Sequence, residues 1–179
     1  MIRVLSAAVA LVFAMGMAMT AEAKTAYDFT FETIDGKPLP MSQFKGKTVL
    51  VVNTASFCGF TPQYEQLEAV WKAKQSKGLV VLGVPSNDFG AQEPGSAAEI
   101  KDFCTSKYDV DFPLAAKVVV KGADAHPFYK WVSEAKGEPK WNFHKYLING
   151  KGELVAAFES KSRPDSAEVT AAIEKSLAN

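Results

Sequence analysis

Cys58 is the first candidate for chemistry in this chain. It sits in the stretch Asn53-Thr-Ala-Ser-Phe-Cys58-Gly-Phe-Thr61-Pro62. An apolar run from Val49 to Val52 leads in and reads as a buried strand. Pro62 opens a helical pattern with Tyr64, Leu67, Val70 and Trp71 on one face; Thr61 suits the N-cap and Pro62 the first helical position. The cysteine therefore falls in a short strand-to-helix loop. Helix N-termini carry unpaired N–H groups and a partial positive charge, which favour thiolate over thiol, and the thiolate is the nucleophile. The alternative is a small, inert core cysteine. Spacing narrows the chemistry further. A dithiol reductase site would carry a second cysteine three residues on, but the sequence there is Cys58-Gly-Phe-Thr61. A lone thiolate has to attack and then be rescued from elsewhere.

The elements that must position Cys58 follow from the pattern around it. Asp35-Gly36 is a hairpin turn signal after a partly alternating stretch from Ala26 to Ile34, and Leu39 to Phe44 returns as a short strand or turn. The helix from Pro62 runs to about Ser76 and closes at Lys77-Gly78. Leu79 to Val84 is a second continuous apolar run, and two such runs joined by a helix make a parallel βαβ unit. The loop Pro85 to Gly95 follows the second strand at the same sheet edge as Cys58, where sites gather in open α/β sheets. Ser96-Ala-Ala-Glu99 is a capping box that opens a helix with Ile100, Phe103 and Cys104 on its inner face. Val118 to Val120 reads as a short strand, and His126-Pro127 as the start of a further helix. Phe143 to Ile148 and Glu153 to Phe158 read as an antiparallel hairpin around Asn149-Gly-Lys-Gly152, and Pro164 starts the last helix. This order predicts an α/β domain with a thioredoxin-like fold: a mixed central sheet flanked by helices.

Three segments carry a resemblance to a known family. They are Asn53 to Tyr64 around Cys58, Pro85-Ser-Asn-Asp-Phe-Gly-Ala-Gln92-Glu-Pro-Gly95, and Lys140-Trp141-Asn142-Phe143. In order and spacing they closely resemble the signature segments of glutathione peroxidases, and the resemblance covers nearly all of the chain after the leader. It implies a thioredoxin fold and peroxide reduction, with Cys58 as the peroxidatic residue and Gln92, Trp141 and Asn142 completing a catalytic tetrad. The residue types suit that role. A thiolate attacking one peroxide oxygen gives a sulfenic acid and expels hydroxide or alkoxide. Two amides and an indole N–H are neutral donors for the thiolate and the departing oxyanion.

The resemblance also gives Cys104 a role. In the non-selenium, thioredoxin-dependent branch a Phe-Cys pair occurs on the helix after this loop, and Phe103-Cys104 matches it, so Cys104 is expected to be the resolving cysteine. The alternative is a buried structural cysteine. A disulfide needs Cα atoms within ~7 Å, so part of the helix from Ser96 must unwind if the pair starts further apart. The expected reductant is a thioredoxin-like dithiol protein, with glutathione as the rival. A peroxide sensor that oxidises once and stops is a further alternative. Three positions depart from the family pattern: Phe57 replaces a lysine or polar residue, Ala91 a glycine, and His144 a Thr, Ser or Glu. Phe57 removes a cation that would welcome the acidic groups of glutathione.

Composition sets the remaining limits. The chain has 179 residues, with 20 Lys+Arg against 20 Asp+Glu. That balance argues against nucleic acid as a partner. Met1-Ile-Arg3, the apolar run from Val4 to Met19 and Ala21-Glu-Ala23 fit a cleavable signal peptide over residues 1–23, short for a membrane span. The expectation is one domain over residues 24–179, exported to the periplasm and monomeric. His126 and His144 stand apart from each other and from the cysteines, so no metal and no cofactor is expected.

Overall fold

The computed structural model describes residues 24–178; the expected signal peptide lies outside the described residues. The chain opens with an antiparallel hairpin, β1 (Thr30–Glu32) and β2 (Pro38–Pro40), turning at Asp35-Gly36. Gly36 takes φ +78°, the left-handed conformation that glycine adopts without a Cβ penalty. The central sheet holds β3 (Thr48–Thr54), β4 (Leu79–Pro85), β5 (Lys145–Ile148) and β6 (Leu154–Phe158) in the order β4-β3-β5-β6. β3 pairs parallel with β4 and antiparallel with β5, which pairs antiparallel with β6. The helices are α1 (Gln63–Lys74), α2 (Ala97–Tyr108), α3 (Pro127–Lys136) and α4 (Ala167–Leu177). This is the expected thioredoxin-like arrangement.

β3 and β4 are buried along their whole length, as their continuous apolar runs require. Alternate residues of β3 serve two cores. Val49 and Val51 pack with Phe31, Phe128, Tyr129 and Val132 on the face covered by α3 and the hairpin. Leu50 and Val52 pack with Tyr64, Leu67, Ile100, Val169 and Ile173 on the face covered by α1, α2 and α4. Burial of each such side chain stabilises the fold by about 1.5–3 kcal/mol before conformational entropy is set against it. β3 and β4 end side by side, with Thr54 opposite Pro85. The loops that follow carry Cys58 and Gln92.

Four local expectations are corrected. Val118 to Val120 is not a strand. The segment runs beside β4, but the Val120 N–H donates to the Asp88 carboxylate at 2.6 Å and Val119 is turned outward. Helix α1 begins at Gln63 rather than Pro62, because Thr61 is committed to the preceding loop. Helix α4 begins at Ala167, with the Ser166 hydroxyl accepting the Val169 N–H, so Pro164 belongs to the turn before it. β5 begins at Lys145, since Phe143 has φ +63° and cannot extend the ladder.

Candidate active site

Thr61 shapes the Cys58 loop. Its hydroxyl donates to the Ala55 carbonyl at 2.9 Å and accepts the Cys58 N–H at 3.0 Å. Both bonds are buried, and together they tie the end of β3 to the cysteine and the entry to α1. Thr61 therefore braces the loop instead of capping the helix. Cys58 itself is buried, and its Sγ accepts the Phe60 N–H at 3.4 Å. The Phe57 N–H donates to the Gln92 carbonyl at 3.0 Å, which joins this loop to the one after β4.

The second loop brings Gln92 to the third segment. Gly90 takes φ +65°, and a Cβ there would stand 3.6 Å from both Gln92 and the Trp141 ring. Gln92 and Trp141 thus close on the same point. The Asn142 amide donates to the Gln92 amide oxygen at 2.9 Å and lies 3.5 Å from the Phe89 carbonyl. Asn142 is fully buried, while Trp141 is 39% exposed and rests against Phe89. Ala91 and Phe143 hold positive φ. That conformation costs an L-residue on the order of 1–2 kcal/mol, which accounts for the glycine expected at position 91.

Residues beneath these loops were not picked out by their sequence. Asn53, at the end of β3, donates its side-chain amide to the Trp141 carbonyl at 3.1 Å and accepts the Phe143 N–H at 2.6 Å on its own carbonyl. Lys145 is fully buried and donates to the Phe143 carbonyl at 2.7 Å. Burial pushes its amine down to about 7. His144 is buried with both ring nitrogens unpartnered, and burial, with Lys145 beside it, pushes the imidazole down to about 4. Glu93 is fully buried, and burial raises its carboxyl above the usual range. The one signal available in the sequence was a lysine inside an apolar strand pattern.

Cys104 lies on α2, fully buried in the same apolar cluster as Cys58 and Tyr64. The two thiols are not bridged. Burial pushes the Cys104 thiol up to about 11. A cavity of about 400 Å³ opens between the Cys58 loop and α2, lined by Ser56, Phe57, Glu93, Pro94, Ile100 and Phe103. Phe57 is 67% exposed at its edge. Among the described residues no group of His, Cys, Asp and Glu is arranged to hold a metal ion, and no helix is long and apolar enough to cross a membrane.

Three sequence-distant loops therefore meet at one sheet edge: the Cys58 loop bonds to the Gln92 loop through Phe57, and Gln92 bonds to Asn142, beside a partly apolar cavity. Comparisons with known proteins place this arrangement. The family model described as glutathione peroxidase matches residues 26–133. The hydroperoxy fatty acid reductase gpx1 of Synechocystis sp. is 44% identical over 171 residues, covering 89% of this chain and all of that protein. The glutathione peroxidase-like peroxiredoxin gpx1 of Schizosaccharomyces pombe is 46% identical over 147 residues, covering 79% of this chain and 93% of that protein. The crystal structure of Trgpx in its apo form superposes with a TM-score of 0.73 at 36% identity, covering 88% of this chain and 98% of that one. On the strength of the family model and these relatives, the chain belongs to the glutathione peroxidase family.

Proposed function

We propose that this protein is a thiol peroxidase that reduces hydrogen peroxide or organic hydroperoxides, including those of lipids, through Cys58. The Cys58 thiolate attacks the outer peroxide oxygen, the O–O bond breaks, and the alcohol or water leaves after taking a proton. Cys58 is left as a sulfenic acid. Gln92, Trp141 and Asn142 supply neutral donors for the anionic sulfur and the departing oxygen. The carrying observation is the convergence of the Cys58, Gln92 and Asn142 loops at one sheet edge, closed by the 2.9 Å Asn142–Gln92 bond. The cavity beside Phe57 and the name of the Synechocystis relative support an organic hydroperoxide as substrate.

Cys104 then attacks the Cys58 sulfenic acid. A disulfide forms, water leaves, and a thioredoxin-like dithiol protein restores both thiols. The peroxiredoxin names of relatives support this route. Cys104 is fully buried on α2, so this route includes an opening of α2 wherever the two Cα atoms start more than ~7 Å apart. The same burial favours a second reading, in which Cys104 is structural and glutathione reduces the sulfenic acid. The Ala21-Glu-Ala23 motif supports export to the periplasm, and we take the working form to be a monomer.

Intact mass without reductant, after one equivalent of hydrogen peroxide, tests the cycle. Wild type is expected to lose two hydrogens, and Cys104→Ser to give a trappable sulfenic acid. A sulfenic acid in both proteins, with no disulfide, makes Cys104 structural. No oxidation of Cys58 in either overturns the peroxidase reading.

A further inference from the structure

Lys145 presents a physical problem. Lysine is almost never fully buried unless it is paired. Lys145 is fully buried, as are its chain neighbours Phe143, Tyr146, Leu147 and Ile148. Among the described residues its amine makes no ion pair, and its hydrogen bond goes to the Phe143 carbonyl. An apolar residue would fill this strand position without the desolvation cost of an amine. The role of the amine has to lie in what it holds.

What it holds is one end of the Trp141–Phe143 turn. The peptide before Asn142 is fixed through its carbonyl, which accepts from the Asn53 side chain at 3.1 Å. The peptide after Asn142 is fixed through its N–H, which donates to the Asn53 carbonyl at 2.6 Å. The next peptide is fixed through the Phe143 carbonyl, at 2.7 Å from the Lys145 amine. Each peptide plane that sets the direction of the Asn142 side chain is thus bonded. The anchors are rigid. Asn53 ends β3, and Lys145 is paired with Val52 on one side and Phe158 on the other. Phe143 needs this restraint, since φ +63° is a conformation its side chain disfavours.

We infer that Asn53 and Lys145 act as a two-armed clamp that positions Asn142 and Trp141 for the peroxidase step, without touching the reacting atoms themselves. The inference rests on the reading of Cys58 as peroxidatic and adds two positioning residues to it. Burial pushes the lysine amine down to about 7, and the amine donates to a carbonyl in either charge state. The clamp therefore works by geometry rather than by charge.

The test is Lys145→Met, which keeps length and volume and removes the donor. Three measurements are made on wild type and variant: the rate constant for Cys58 oxidation by hydrogen peroxide, the melting temperature, and the NMR cross-peaks of the three tryptophan indoles and the Asn142 amide. The expected result is at least a tenfold slower oxidation with a displaced or broadened Trp141 indole and Asn142 amide. Trp71, packed against Phe112, and Trp131, packed against Phe29 and Phe128, keep their positions. Asn53→Ala carries the same expectation and serves if Lys145→Met does not fold. A wild-type rate constant in a folded variant overturns the clamp, as does a slower rate with unmoved Trp141 and Asn142 signals. If wild-type Cys58 is itself not oxidised, the peroxidase reading has failed rather than the clamp.

Discussion

The side-chain amide of Asn142 donates to the amide oxygen of Gln92 across 2.9 Å, joining loops that are 50 positions apart in the chain. Neither amide titrates near neutrality, and under the proposed peroxidase function the Asn142 bond to the Gln92 oxygen fixes the direction in which the Gln92 NH2 donates. Gln92→Ala and Asn142→Ala are each expected to slow peroxide reduction by on the order of 10², the loss typical of one oxyanion donor. Because each residue orients the other, the double variant is expected to lose less than the product of the single losses. Stopped-flow rate constants for the four proteins of the cycle check this; strictly multiplicative losses would show the two acting independently.

The Thr61 hydroxyl makes two of the hydrogen bonds that set the Cys58 loop. Thr61→Val keeps the shape but orphans the Ala55 carbonyl and the Cys58 N–H. Each buried, unpaired group costs about 1–3 kcal/mol. The variant is expected to melt lower and to react more slowly with peroxide, whereas Thr61→Ser, which retains the hydroxyl, recovers most of both. Differential scanning calorimetry with a peroxide assay decides it.

The Cys104 thiol is held protonated up to about pH 11, against 9.0 for an ordinary exposed thiol. Between these values the unfolded chain has lost its proton and the folded protein has kept it. Stability from this group is therefore complete below about pH 9 and is lost as pH rises toward 11, by about 2–3 kcal/mol over the window. Urea unfolding of wild type and Cys104→Ala at several alkaline pH values should show a steeper decline for wild type. Parallel curves would count against the burial of this thiol.

His144 gives the opposite slope on the acid side. Its imidazole is held neutral down to about 4, from an ordinary 6.5, chiefly by burial and then by Lys145. The unfolded chain binds that proton first. Stability from this group is complete above about pH 6.5 and is lost as pH falls toward 4, by about 3 kcal/mol. His144→Phe, which keeps a ring against Tyr146, is expected to flatten this limb in urea titrations at pH 4 to 7. An unchanged limb would exclude His144 as its source.

Much of this arrangement was legible because it depends on strong local signals. Continuous apolar runs marked β3 and β4, Gly78 marked the end of the turn after α1 with φ +100°, and Ser96 with Glu99 marked the start of α2. The signature segments singled out Cys58, Gln92, Trp141 and Asn142, and the fold brings their loops to one edge. What sequence could not resolve was competition for the same groups. Thr61 looks like an N-cap by type, but two partners on its N-terminal side, Ala55 and Cys58, claim its hydroxyl. Val118 to Val120 has the composition of a strand, yet a carboxylate from the neighbouring loop takes the bond that a ladder would need. Lys145 carries no local mark of its partner, because that partner is created by the left-handed turn at Phe143.

The capping box of α2 reaches beyond helix stability. Ser96 and Glu99 each satisfy a backbone N–H of the other, at 3.3 and 2.7 Å. If Cys104 resolves the oxidised site and α2 has to open for it to reach Cys58, a second peroxide competes for the waiting sulfenic acid in the meantime. The strength of these capping bonds then contributes to how long the enzyme stays vulnerable to irreversible sulfinic acid formation. A tightly capped helix makes an enzyme that peroxide bursts inactivate, and a loosely capped one makes an enzyme that survives them.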